Sequence, residues 1–217
     1  MTKKFAGAAL ALSMITSAAC IPLTVGSTAN PVPVGTSVRN MSTYVVPRSF
    51  EDSTSDYSLP RYGVDGETRF GFDAHSDIGI RVPNFSGVVV NYKRRLNGRS
   101  DDPSSAIALM TGGGIINLGT HAHLEATLIA SSEDNDRATP YGGVRAMQVF
   151  PLEKGAVHDS PTLGGFFGVR LGSSSFGMSP EIGVFYDRSA LGIRNNNVLF
   201  VPAITLHGDL ARLLRPW

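Results

Sequence analysis

The chain has 217 residues, 42% of them hydrophobic and 17% charged, with a net charge of +1, 24 glycines and one cysteine. So small a charge gives no long-range field to draw in nucleic acid, and no basic run suggests such a partner, which sets that class aside. A single thiol excludes an internal disulfide and a zinc ribbon, which needs several thiolates at fixed spacing, and no metal or other cofactor is expected.

The amino end reads as an export signal. Lys3 and Lys4 form a basic n-region, and Phe5 to Ile15 is a mostly apolar, uncharged h-region. That run is too short to span a bilayer, which takes about 20 apolar residues. The small residues Thr16, Ser17, Ala18 and Ala19 then lead to Cys20, the chain's one cysteine. This arrangement resembles the lipobox of bacterial lipoproteins, with a departure at Ser17, where Leu or Val is usual. The resemblance implies a signal peptide over 1–19 and acylation of Cys20, palmitate-type chains included. Ile21 stands where an Asp would mark inner-membrane retention, which points to the outer membrane. The alternative is ordinary cleavage after Ala18 or Ala19, leaving a free surface thiol.

Residues 20–36, rich in Pro, Gly, Thr and Val, read as a tether, and a first strand is expected over Ser37–Val46. Residues 47–65 read as a long loop rich in Pro, Ser, Asp and Gly. Strand signals then recur at about 66–74, 76–83, 86–94, 104–117, 120–131, 139–150, 163–172, 179–188 and 197–207. Turn clusters separate them, among them Asn97 to Pro103, Ser132 to Asp136 and Asn195 to Asn197. No stretch keeps a 3.6-residue period over three turns. Closely spaced strands without helices argue an antiparallel sandwich or barrel. Within 37–207, Pro202 removes a ladder donor and calls for a bulge. Thr111 to Gly114 lacks the lysine and helix of a phosphate loop and reads as a bulged or close-packed strand. Residues 208–217 form a tail.

Alternation assigns the faces. Phe70 and Phe72 oppose Arg69, Gly71 and Asp73; Ile78, Ile80 and Val82 oppose Asp77, Gly79 and Arg81. Leu124, Ala126 and Leu128 oppose His121, His123, Glu125 and Thr127; Phe167, Val169 and Leu171 oppose Gly168 and Arg170. Ile182, Val184 and Tyr186 oppose Glu181, Gly183 and Asp187. A period of two suits a sheet with one apolar and one polar face. A membrane barrel turns the apolar face outward, and a soluble lipid-binding barrel does the reverse. The polar faces carry Arg69, Arg81, Lys93, Arg145 and Arg170 against Asp73, Asp77, Glu125, Glu181 and Asp187. This balance suits a narrow lumen, where unpaired charge is expensive. Gly71, Gly79, Gly143, Gly168 and Gly183 share that face, where they would make room for long side chains rather than weaken a solvated strand.

With its alternating strands and phrases such as Ser179-Pro180-Glu181-Ile182-Gly183-Val184-Phe185-Tyr186, region 37–207 resembles the small outer-membrane β-barrel proteins of Gram-negative bacteria, the OmpA-like kind. The resemblance implies an all-β, antiparallel, up-and-down transmembrane β-barrel of about 8–10 strands. It also implies outer-membrane lipid as surroundings, and barrel-assembly and lipoprotein-sorting machinery as partners during biogenesis. The expected function is a lipid-anchored, non-catalytic barrel with a plugged polar lumen and a structural or surface-interaction role. One alternative is a soluble periplasmic lipid-tethered barrel binding a small apolar ligand. Another is a barrel enzyme, for which His158-Asp159-Ser160 has suitable residue types. His121-x-His123-x-Glu125 has metal-ligand types on one strand face, but a hydrogen-bonded lumen network accounts for it without a metal.

Overall fold

The computed structural model describes residues 21–46, 61–98, 105–135, 137–152, 161–173, 176–187 and 197–208, apart from the side chains of Arg61, Asp187 and Asn197. The expected signal peptide, Cys20, His158-Asp159-Ser160 and residues 209–217 lie outside the described residues. Ten strands follow one another: β1 Ser37–Val46, β2 Arg61–Asp73, β3 Ser76–Pro83, β4 Val88–Arg95, β5 Ala106–Ile116, β6 His121–Ser131, β7 Ala138–Pro151, β8 Thr162–Gly172, β9 Gly177–Asp187 and β10 Asn197–His207. A 3-10 turn, Asn117–Gly119, joins β5 to β6. Each strand pairs antiparallel with its sequence neighbours and β10 pairs with β1, closing an up-and-down barrel. Closure leaves no edge strand.

Period-two alternation produces this fold because each strand can bury one face only. Burial in β4 alternates strictly, with Val89, Asn91, Lys93 and Arg95 inward and Val88, Val90, Tyr92 and Arg94 outward. Phe70, Ile80, Leu128, Phe167 and Ile182 all face outward, as their alternation predicts. The strands start and stop within about two residues of the sequence pattern, with one larger difference. β2 begins at Arg61 rather than 66, which brings Asp65 into the sheet and sets it on the same buried face as Glu67.

No bulge accommodates Pro202. The β9–β10 register runs unbroken from Asn197↔Asp187 to His207↔Gly177. The β1–β10 ladder ends at Tyr44↔Ala203, one residue short of the proline. Gly112 to Gly114 is also unbulged, and neighbouring backbone explains its composition. A Cβ at Gly112 would lie 2.8 Å from the Val90 carbonyl oxygen, and one at Gly113 would lie 3.1 Å from that of His123.

The interior has an apolar layer at one end. It gathers Ile21, Leu23, Tyr44, Val46, Val89, Ile116, Met147, Val149, Phe185, Leu199 and Val201. This is the loop end, where β1 runs out towards β2 and β9 towards β10. The opposite, terminal end is where β1 begins and β10 finishes. Ile21 and Leu23 belong to neither β1 nor β2. They come from the segment read as a tether, whose residues 21–32 are almost entirely buried.

The closing seam is the shortest ladder, with five residue pairs between β1 and β10 against eleven between β5 and β6. Local opening is cheapest where fewest hydrogen bonds must break together. Hydrogen exchange read by mass spectrometry on detergent-solubilised protein should show the seam amides around Met41–Tyr44 exchanging ahead of those of β5–β6.

Candidate functional site

The site is the lumen, built jointly by the inward faces of the strands and by residues 21–34. This segment runs from the loop end to the terminal end without a ladder of its own along its length. It first meets barrel backbone at a parallel bridge, Val34↔Gly71. Gly35 and Thr36 then reverse the chain into β1. Between these ends its peptide groups find charged side chains. The Tyr44 hydroxyl donates to the Ile21 carbonyl (2.6 Å). The Thr24 carbonyl accepts from Arg81 Nη1 (3.0 Å) and Arg145 Nη1 (2.7 Å). Glu181 receives the amides of Val25 (2.9 Å) and Gly26 (2.8 Å), together with the Tyr141 hydroxyl (2.9 Å).

Towards the terminal end the Lys93 ammonium donates to Ser27 Oγ (2.9 Å), the Thr28 carbonyl (3.0 Å) and the Asn30 carbonyl (2.9 Å). Asp77 takes the Val32 amide (2.8 Å) on Oδ2 and also faces Lys93 at 3.3 Å. Arg170 pairs with Asp134 and reaches Thr28 Oγ1 at 3.4 Å. Arg95 Nη1 donates to Asn30 Oδ1 at 2.9 Å. Gly26 has φ of +58° and lies against Thr205, so a side chain there is excluded both by conformation and by space.

The barrel wall supplies the second set of contacts. Arg69 bridges Glu67 (2.8 Å), Asp77 and the Asn91 side-chain oxygen (2.7 Å). Arg81 also meets Glu67 (3.3 Å), and Arg145 is paired with Glu125. His123 Nε2 lies 3.1 Å from Glu125. A polar chain near the seam runs from Ser179 through His207 (2.6 Å) to Asn40 (2.9 Å). Beside it Ser42 meets Thr205 at 2.8 Å.

Arg81, Arg145 and Arg170 are 2%, 2% and 6% exposed, so the three guanidinium groups point into the barrel. Arg69, Asp77, Lys93, Glu125 and Glu181 are buried beside them. Asp73 is a correction: it is exposed, and it accepts the His75 amide in the β2–β3 turn (2.7 Å). A register shift between Gly71 and Asp73 takes the strand end out of the lumen. The side chain of Asp187, the last residue of β9, lies outside the described residues.

Asp65, Glu67, Arg95 and Asp134 belong to this region and were not anticipated. Starting β2 earlier would have exposed the alternation Asp65, Glu67, Arg69. Asp134 lies in a turn cluster, where no periodicity operates. The inner segment left one readable trace, since no charged residue occurs between Ile21 and Val38. A solvated tether has no reason to avoid charge so completely.

The glycine expectation holds in a modified form. A Cβ on Gly79 would come within 2.7 Å of Arg69 Nη1 and 3.0 Å of Glu67 Oε1, so this glycine does make room for the ion network. Gly71 instead admits the backbone of Pro33, and Gly168 the ring of Tyr141. The two histidines of the His-x-His pattern have separate partners. His121 meets Thr120 (2.7 Å) and Asn117 (3.2 Å) near the loop end, while His123 meets Glu125. Among the described residues no group of three or more His, Cys, Asp or Glu is placed to hold a metal ion.

The outer surface is apolar, and most of its exposed aromatic residues lie towards the two rims. Tyr62, Phe85, Phe150, Tyr186 and Phe200 lie towards the loop end, and Phe70, Phe72 and Phe176 towards the terminal end. The belt between is mostly aliphatic, with residues such as Leu109, Leu128 and Val144, and also holds Tyr92 and, at the middle of β8, Phe167.

No family model and no curated protein matches the chain. Among solved structures, the Yersinia pestis outer-membrane protein Ail in a phospholipid nanodisc is similar, with 10% identity and a TM-score of 0.37, over 79% of this chain and 98% of that one. The Pseudomonas aeruginosa outer-membrane protein OprG gives 14% identity and a TM-score of 0.30, over 84% and 97%. A crystal structure of Ail gives 12% and 0.22, over 79% and 95%. Similarity at this level carries no function, and the chain's own side chains must supply it.

Removing one partner of a buried ion pair leaves an uncompensated charge, at about 3–5 kcal/mol. Asp77→Ala should therefore lower unfolding stability in detergent by that order, since it takes the paired carboxylate from Lys93, one of two from Arg69, and the acceptor from the Val32 amide. Denaturant titration followed by tryptophan-independent circular dichroism reads the change. Gly79→Leu should destabilise by about 1–3 kcal/mol through overpacking, whereas an outward Ile80→Leu should be nearly silent.

Proposed function

We propose that the protein is a non-catalytic barrel of the outer membrane, anchored additionally by lipid at Cys20, with its lumen closed by residues 21–34 and the ion network. A structural or surface-interaction role follows. The observation that carries this reading is the inversion of a soluble protein's polarity. Eleven charged strand residues, from Asp65 to Glu181, are buried inside while Phe, Leu, Ile and Val cover the outside.

A closed barrel is one of the two architectures that satisfy every backbone group in hydrocarbon. The aromatic residues towards both rims suit the two interfaces of a bilayer. The same polarity argues against a soluble carrier of apolar ligands, whose interior would have to be greasy and vacant. Lipid anchoring rests on the lipobox resemblance and on the stability that several acyl chains give, where one holds only marginally. Most charged side chains of the interior bond one another or the inner segment, which supports a non-enzymatic role.

Two measurements test this. In planar bilayers the full-length protein should conduct negligibly, and deletion of residues 21–33 should open measurable ion conductance; a full-length chain conducting like a porin would remove the closed-lumen reading. Val144, at the middle of β7 and 59% exposed, tests the membrane assignment. Val144→Arg should destabilise the barrel in lipid vesicles by about 2–4 kcal/mol. An unchanged stability, in a protein that is extracted without detergent, would point to a soluble barrel.

A further inference from the structure

Residues 21–34 cross the whole barrel, and the direction of that crossing has a topological consequence. The order of contacts along the segment is monotonic. Ile21 joins the apolar layer at the loop end with Val46, Ile116 and Leu199. Thr24 is held midway by Arg81 and Arg145, and Val25 and Gly26 by Glu181. Asn30 donates to Asp134 (3.2 Å) beyond β6, and Val32 and Val34 meet Asp77 and Gly71 at the terminal end. The chain then turns and goes back as β1. Counting this segment, the described residues make eleven passes through the barrel's height, so Ile21 and Gly208 lie at opposite ends of it.

We infer that the mature amino terminus, with any acyl chains on Cys20, leaves the lumen at the loop end and belongs to the leaflet facing outward from the cell, while the end of β10 faces the periplasm. This rests on the outer-membrane reading above. Cys20 is one peptide link, about 3.8 Å, from Ile21, and Ile21 is seated in the apolar layer at the loop end. The loop end faces outward because three of its five connections are long, 47–60, 152–161 and 188–196, beside the short turns 84–87 and 117–120. The terminal end has 74–75, 132–137 and 173–176, with one longer exception, 96–105. Outer-membrane barrels carry long loops outside and short turns in the periplasm. The lipid is then held beside the long loops, on the opposite face from a lipoprotein whose body hangs in the periplasm.

Two independent experiments decide it. First, one hydrophilic epitope is inserted between Cys20 and Ile21, in 47–60, or in the Ala74–His75 hairpin, and each full-length variant is probed with antibody on intact and on permeabilised cells. The amino-terminal and 47–60 epitopes should be detected on intact cells, and the hairpin epitope only after permeabilisation, with at least a tenfold difference in signal. An amino-terminal epitope that behaves like the hairpin overturns the inference while leaving the membrane reading intact. Equal accessibility of the 47–60 and hairpin epitopes withdraws the membrane reading, and the leaflet assignment with it.

The second experiment covers an insertion that prevents assembly. Ile21→Cys with Tyr44→Cys is treated in native membranes with a short bis-thiosulfonate linker, and the products are identified by peptide mass spectrometry. A linked peptide pair joining the amino-terminal segment to β1 near Tyr44 is expected. Its absence, in protein that still shows heat-modifiable migration, overturns the crossing.

Discussion

An ion taken out of water loses several kcal/mol of solvation even after its surroundings relax, and a single opposite charge seldom restores it unless further hydrogen bonds complete the shell. The lumen of this barrel meets that condition from two sources. Neighbouring strands supply the opposite charges, as where Arg69 lies between Glu67 and Asp77. The backbone of residues 21–34 supplies much of the remainder. Arg81, Arg145 and Lys93 each donate to a carbonyl of the segment, and Glu181 and Asp77 each accept at least one of its amides. Without those peptide groups the same five residues would face a water-filled hollow or one another.

The dependence also runs the other way. A segment lying in the middle of a barrel has no adjacent strand, so its peptide groups would be orphaned, and an orphaned buried N–H or C=O is as costly as a lost hydrogen bond. Ions of both signs are what such a backbone requires, with carboxylates for its donors and guanidinium or ammonium groups for its acceptors. This explains why the segment contains no charge of its own between Ile21 and Val38 while the wall is charged. It also explains why its apolar side chains sort by depth: Ile21 and Leu23 sit in the greasy layer at the loop end, and Val25 and Ala29 against Ala108, Met110 and Ile129 further down.

The barrel was legible in the sequence because alternation is a local signal and is strongest when one face is forced to be apolar. Arg81, Arg145, Arg170 and Glu181 were placed from their own strands alone, with no knowledge of what they touch. Legibility failed where position depends on something other than alternation. Asp73 obeys the period of β2 but sits past a register shift, so its face no longer means lumen. Asp65 fell outside the expected strand because Gly63 and Gly66 dilute the strand signal ahead of Glu67. One of those glycines is there because the ring of Tyr44 occupies its place. Asp134 reaches Arg170 from a turn, a contact that depends on tertiary closure. Hardest of all was the inner segment. It has the prolines and small residues of a linker, and the feature that distinguishes it, a demand for ionic partners along its backbone, is written in residues more than forty positions away.

The same interdependence constrains how the barrel can form. The inner segment precedes β1 in the chain and is continuous with it through Gly35 and Thr36, while its charged strand partners lie on β3, β4, β7, β8 and β9. Those strands form consecutive hairpins, favoured by short sequence separation, whereas the β1–β10 seam joins the ends of the chain across five pairs only. An open sheet of ten curled strands exposes the wall's charges to water, where they are satisfied without the segment. Closure removes that water, so the segment has to be laid in beforehand or the ions are stranded. A seam that closes last, over a backbone already seated among Arg81, Arg145 and Glu181, is the order these contacts and the short β1–β10 ladder favour.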